Sequence, residues 1–313
     1  MTGKVYPEGI AWDSLANDYI AEFDDLADIE RLWSQYKSRH QVLAVFTCSA
    51  AEIMKASFAE LVAISQQFRN LPNRTEAERR ELSTIKNYLK KKVFNYDCRA
   101  KGCKPHQTVI SHFFQKKMDE LNVHTCFYCD MAYINPYVDG DNTKSQFDLD
   151  HAIAKSDCPI TALSLHNFVP SCPVCNQRLK RKNPLAACDA DLMNVAPCSE
   201  QFDADKNIYF KVVQTKVCTG GFMKHRENYA MKVIARGKYE AYAKLFHLEE
   251  RYEYHKGEAL RLLDLKRKYP ASNLKKIAKM LHKTKDEVHE DIFGLGYSKD
   301  NHRCFDKMKR DIM

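Results

Sequence analysis

Two Cys-x-x-Cys pairs constrain this chain more than any other feature: Cys126 and Cys129 in HTCFYCD, and Cys172 and Cys175 in SCPVCN. Each pair can offer its thiolates from one tight turn, and two such pairs can converge on a tetrahedral ion. Four thiolates suit zinc, which needs no redox role. The roughly forty residues between the pairs exceed the usual ribbon spacing, so a folded segment must lie between them. Neither pair opens a helix after a strand in a thioredoxin-like setting, which counts against a redox role.

The remaining cysteines call for a compartment. The start, MTGKVYPEGIAWDSLAND, lacks the basic-then-apolar pattern of a secretion signal, and no apolar run approaches membrane-spanning length. The expectation is a soluble, cytoplasmic chain without a membrane role, its twelve cysteines thiols or metal ligands and not disulfides. Cys48, Cys218 and Cys304 stand alone as thiols. Cys98 and Cys103, near His106 and His112, read as ordinary thiols and not as a second metal site. A net charge of +8 suits a polyanionic partner, although solvated lysine-rich helices give the same number. Ten glycines in 313 residues are few for a large all-β fold.

Helical periodicity dominates both ends. Leu15, Tyr19, Phe23, Leu26, Ile29 and Trp33 recur at three- and four-residue steps, and Ile53, Met54, Phe58, Leu61, Val62 and Ile64 repeat the pattern. Pro72 and Asn73 break the chain before a helix that Thr75 caps, with Glu78 as capping-box partner. Another helix is predicted through HQTVISHFFQKKMDEL. NIYFKVVQTKV predicts one strand, and helices resume with KVIARGKYEAYAKLF, EERYEYHKGEALRLLDLKRKY and LKKIAKMLHKTKDEVHEDIF. The last has the rhythm of two short helices about a turn at Lys283 to Lys285, either a small DNA-reading unit or a packing hairpin.

Between the cysteine pairs the period changes to two. In QFDLDHAIA, Asp148 and Asp150 project to one side, and His151 follows at the strand end. NFVPSC is a second extended run, and PVCNQRLKRK starts a helix with Pro173 in its first turn. Asn176 and Lys180, four apart, then share a face. This set suggests metal-assisted phosphodiester hydrolysis. A hard ion, Mg²⁺ or Mn²⁺, takes oxygen ligands, here the Asp150 carboxylate and the Asn176 carbonyl. His151 is the candidate base for an attacking water. Lys180, Arg181 and Lys182 are candidate contacts to the nucleic-acid backbone. Tyr133, Tyr137 and Phe168 read as packing residues before base-stacking ones.

The combination of Asp150-His151 on a first strand, Asn167 opening a second, and Asn176 directly after a Cys-x-x-Cys resembles the HNH nucleases. The resemblance covers roughly residues 123–185 and departs from the commonest pattern in having Asn176 as its third letter. It implies an α+β, mostly helical chain with a central ββα-metal module and a zinc site of four cysteines. It also implies His151 as general base, Asp150 and Asn176 as metal ligands, Asn167 as the residue holding the base's loop, and Asp148 in support. The regions would be residues 1–122, helical; 123–200, the nuclease module; and 201–313, helical with one strand. LFHLEERYEYHKGEALRLLDLKRKYP further resembles the HNH subunits of Septu-type and retron-associated anti-phage systems. That implies an ATPase partner, with a retron reverse transcriptase and its DNA as a further one. The substrate is expected to be DNA, with RNA such as tRNA as the alternative. A non-catalytic zinc-bearing nucleic-acid-binding module, or an assembly subunit silent until triggered, are the competing readings.

Overall fold

Capping chemistry cuts the amino-terminal helical pattern into pieces. In the computed structural model, which describes residues 12–97, 105–118, 120, 123–294 and 303–313, the first stripe becomes α1 (Trp12–Ala21) and α2 (Leu26–Arg39). The second becomes α3 (Ala50–Lys55) and α4 (Phe58–Arg69), each started by a capping box, Ser49 with Glu52 and Ser57 with Glu60. Thr75 and Glu78 form the predicted box at the head of α5 (Glu76–Tyr88). There the Thr75 hydroxyl accepts from the Glu78 N–H at 3.2 Å and the Glu78 carboxylate accepts from the Thr75 N–H at 2.8 Å. A π-wound turn, Leu89–Val93, extends α5, and α6 (Gln107–Lys116) follows. Cys98 and Cys103 lie outside the described residues.

Three two-stranded antiparallel sheets make up the β content of the described residues. β1 (Pro136–Asp139) and β2 (Asn142–Ser145) form a hairpin whose two-residue loop begins with Gly140 at φ 61°. Tight hairpin loops of this length need that left-handed conformation, and glycine adopts it without strain. β3 (Asp148–His151) pairs with β4 (Phe168–Ser171), with Asp150 opposite Val169 and His151 opposite Phe168. β4 runs into the π-wound helix Val174–Lys180. The second cysteine pair thus lies between a strand and a helix, as NFVPSC and PVCNQRLKRK predicted; what sets it apart from a redox pair is the second pair of thiols beside it.

After α7 (Asp189–Val195) and α8 (Ala204–Asn207), the predicted strand appears as β5 (Ile208–Gln214). KVIA is not helical as expected. It belongs to β6 (Tyr229–Ala235), because its alternating Met231, Val233 and Ala235 can pair along the whole of β5. Helix resumes at α9 (Tyr239–Leu245), α10 (Leu248–Tyr254) and α11 (Lys256–Lys268). α12 (Ala271–Leu281) and α13 (Lys285–Phe293) form a hairpin that packs on α11 through Leu262, Leu274, Ala278, Val288 and Phe293. Its second helix carries Asp286, Glu287, Glu290 and Asp291, a surface that a DNA groove would repel. α14 (Asp306–Ile312) closes the chain.

The three regions drawn from the sequence share one core. Tyr19, Trp33, Phe113, Phe127, Phe168, Phe202, Tyr242 and Tyr252 belong to a single buried cluster. Polar anchors run across it as well. The Tyr19 hydroxyl donates to the Leu163 carbonyl at 2.7 Å, and that of Tyr252 to the Cys129 carbonyl at 2.8 Å. Tyr133 and Tyr137, expected to pack, are instead 56% and 43% exposed near the β1–β2 hairpin, whereas Phe168 is buried as expected. No helix among the described residues is long and apolar enough to cross a membrane.

Candidate metal centre and polar cleft

Each cysteine pair is turned by its own backbone. The Cys126 carbonyl accepts from the N–H of Cys129 at 3.2 Å and of Asp130 at 2.9 Å, and Asp130 takes φ 53° to complete the turn. The Cys172 carbonyl accepts from the Asn176 N–H at 3.1 Å. A bond from the Phe127 N–H to the Pro170 carbonyl, at 3.3 Å, ties the first turn to β4. All four Sγ atoms come within 4.8 Å of one another, and all four side chains are buried. Thiolates on a tetrahedral zinc stand about 3.8 Å apart, so the cluster fits such an ion. Burial and hydrogen bonds with the other thiols push Cys126 well up, while hydrogen bonds from Cys126, Cys129 and Cys175 pull Cys172 strongly down. Four thiols crowded together and buried offer the donor set that a cation would take. Arg251 adds a hydrogen bond from Nη1 to Cys175 Sγ at 3.3 Å. The cluster can hold a structural metal such as zinc.

A cleft of about 760 Å³ lies beside it, and Asp148, Asp150, His151, Asn176 and Lys180 all line it. One turn of the π-wound helix faces the two acids of β3, which stand two residues and therefore about 6.6 Å apart along the strand. Asn176 and Gln177 reach Asp148: their amide nitrogens donate to Asp148 Oδ2 at 3.2 and 3.0 Å. Lys180 reaches Asp150, its Nζ lying 2.8 Å from Oδ2 and 3.1 Å from Oδ1, and also donates to the His151 carbonyl at 3.2 Å. The Tyr128 hydroxyl donates to Asp150 Oδ2 at 2.6 Å. Asp150 and Lys180 are both more than nine-tenths buried. Lys180 is thus the buried partner of Asp150 and not, as the sequence suggested, an exposed contact beside Arg181 and Lys182, which are exposed.

His151 is fixed by its far nitrogen. Nε2 lies 3.0 Å from the Ala162 carbonyl, which can only accept, so Nε2 carries the proton and Nδ1 the lone pair. Tyr96 and Phe168 meet the ring edge to face at 4.7 and 4.9 Å. Burial, and then the charge of Lys155, lower its pKa to about 3, so the imidazole is neutral at neutral pH. Asn167 joins the two ends of the following loop. Its Oδ1 accepts from the Ile153 N–H at 2.7 Å, and its Nδ2 donates to the Ile153 and Thr161 carbonyls, each at 3.0 Å.

No protein-family model, curated protein or solved structure matches this chain.

Among the described residues, the four cysteines form the one group of three or more Cys, His, Asp or Glu side chains placed to share an ion; Asp148, Asp150 and His151 do not form another. Sequence reasoning missed Tyr96 and Tyr128. Tyr128 carried a signal, since it stands between the two ligating cysteines and any residue there is held rigidly. Tyr96 carried none, because the contact spans more than fifty residues of sequence.

Proposed function

We propose that this chain is a metal-dependent nuclease that hydrolyses phosphodiester bonds of nucleic acid, DNA before RNA, through an HNH-like ββα-metal site in the cleft. The observation that carries the reading is that Asp150, His151 and Asn176, drawn from β3 and the helix after β4, all line one cleft while His151 is held in the tautomer with Nδ1 unprotonated. In this reading Nδ1 takes the proton from the attacking water. Asn167 fixes the loop that ends at Thr161, next to the Ala162 carbonyl that orients the ring. Asp150 and the Asn176 amide oxygen, supported by Asp148, would hold Mg²⁺ or Mn²⁺, which supplies charge stabilisation at the phosphate when bound. Asp150 takes that role only after Lys180 releases it. The freed ammonium is then available to the phosphate.

The test is cleavage of a plasmid and of a tRNA pool with Mg²⁺ or Mn²⁺ by the wild-type chain and by His151→Ala. The expected result is a loss of about 10²–10⁴-fold on substitution, with zinc content and thermal melting unchanged. Undiminished cleavage by His151→Ala would remove the assignment. The anti-phage role and its ATPase partner belong to the same proposal, through the resemblance of the carboxy-terminal arm. Co-expression with the adjacent genes, followed by sizing of the product, checks them.

A second reading draws on the Asp150–Lys180 pair, in which the acid is already compensated. The chain would then bind nucleic acid without cutting it. Binding with no cleavage under any divalent ion or co-expressed partner selects that reading.

A further inference from the structure

Many cations in this chain are paired with a carboxylate, but three that line the cleft are not. Lys90, on the π-wound turn Leu89–Val93, makes no close salt bridge among the described residues, although its charge acts on Asp97; Arg181 and Lys182, just past the end of the helix Val174–Lys180, make none either. They come from parts of the chain about ninety residues apart and border the same space. Lys155 adds a fourth cation to the lining, paired with Asp97 at 2.6 Å and seated 4.5 Å from the Tyr96 ring centre. In all, five cations (Lys90, Lys155, Lys180, Arg181, Lys182) face three carboxylates (Asp148, Asp150, Asp157), and Lys180 and Asp150 cancel each other.

The space also continues past the site. Ala154, Asp157, Lys180, Arg181 and Lys182 border both this cleft and a second hollow of about 410 Å³ that extends to Arg69. A ligand longer than the cleft could therefore pass along this shared border towards Arg69, as a polymer would and a small molecule need not.

We infer that the cleft is a two-walled track for a polynucleotide backbone, with Arg181 and Lys182 on the wall of the central module and Lys90 on a wall contributed by the amino-terminal region. The inference rests on the phosphodiester reading of the same cleft and extends it: the amino-terminal helices hold substrate. Each phosphate that a lysine neutralises releases condensed counterions, so every such contact steepens the salt dependence of binding.

The experiment uses the full chain carrying His151→Ala, so that the probe is not cut, with no added divalent ion. Fluorescence anisotropy follows a labelled DNA duplex, its single strand and the RNA of the same sequence over a range of KCl concentrations. Lys90→Glu is expected to weaken binding about tenfold or more near 150 mM salt and to lower the slope of log affinity against log salt by about one. Lys182→Glu should do the same. Lys276→Glu, on α12 and outside the cleft lining, should match the parent. The form of nucleic acid with the largest Lys90 effect is the one the track accepts. Thermal melting of each variant checks that the fold is kept. If Lys90→Glu binds every probe within twofold of the parent and with the same slope, the second wall is not a contact and the inference fails. Because binding is read without turnover, a chain that cuts nothing yet depends on Lys90 loses the nuclease reading and keeps the track.

Discussion

The thiol cluster and the polar cleft are built from neighbouring stretches of chain, but they balance charge by opposite means. The cluster gathers four like ligands that could share one ion, and its neighbouring cation, Arg251, stands outside the ring of sulfurs. The cleft gathers two carboxylates and already supplies a cation, since Lys180 is buried against Asp150. A site arranged to take up a metal and a site that can stand closed without one should respond differently to the same perturbations.

The largest difference should come from metal removal. Cys126→Ser or Cys175→Ser, or a strong chelator, should abolish zinc binding and the cooperative melt, since a structural zinc contributes on the order of 10 kcal/mol to small folds that depend on it. Elemental analysis should give one zinc per wild-type chain; an unchanged melt in Cys175→Ser would put the two sites on the same footing and break the contrast. Next is the buried pair. Lys180→Met strands an uncompensated carboxylate and should cost about 3–5 kcal/mol in urea unfolding, most of it recovered by adding Asp150→Asn. A Lys180→Met variant as stable as wild type would mean that the cleft is not closed by this pair. The smallest effect concerns the residue that ends the helix. Arg181 sits at φ 51°, ψ −116°, a region unfavourable to any side chain. Arg181→Gly should raise stability by about 1 kcal/mol while weakening binding of nucleic acid. A loss of stability instead would show that its side chain packs.

What the sequence disclosed divides along similar lines. The cysteine pairs, the Thr75–Glu78 cap, the β3 alternation and the strand at β5 were legible because each is written in residues a few positions apart. The partner of Asp150 was not. The four-residue spacing from Asn176 put Lys180 on the face of the site, but the run of three cations read as one contact to a backbone, and nothing local showed that Lys180 is buried against Asp150. β6 escapes a local reading because KVIA taken alone fits a helix or a strand, and only pairing with β5 decides it. Tyr96 meets His151 across a distance in sequence that no spacing rule spans.

The last turn of the chain has a consequence for when the first cysteine turn takes shape. Phe305 gives its N–H to the Asp130 carbonyl at 2.7 Å, and Lys307 gives its N–H to the Asp130 carboxylate at 3.1 Å, just past Cys129. Asp130 holds its left-handed backbone with that support and a bond from the Thr125 hydroxyl. During synthesis the knuckle is translated some 175 residues before these donors exist. It stays unlatched until they emerge, and so does the tyrosine hydroxyl that it aims at Asp150. A nascent chain that has not yet reached Lys307 would therefore lack both bonds, and its first cysteine turn would be less firmly held.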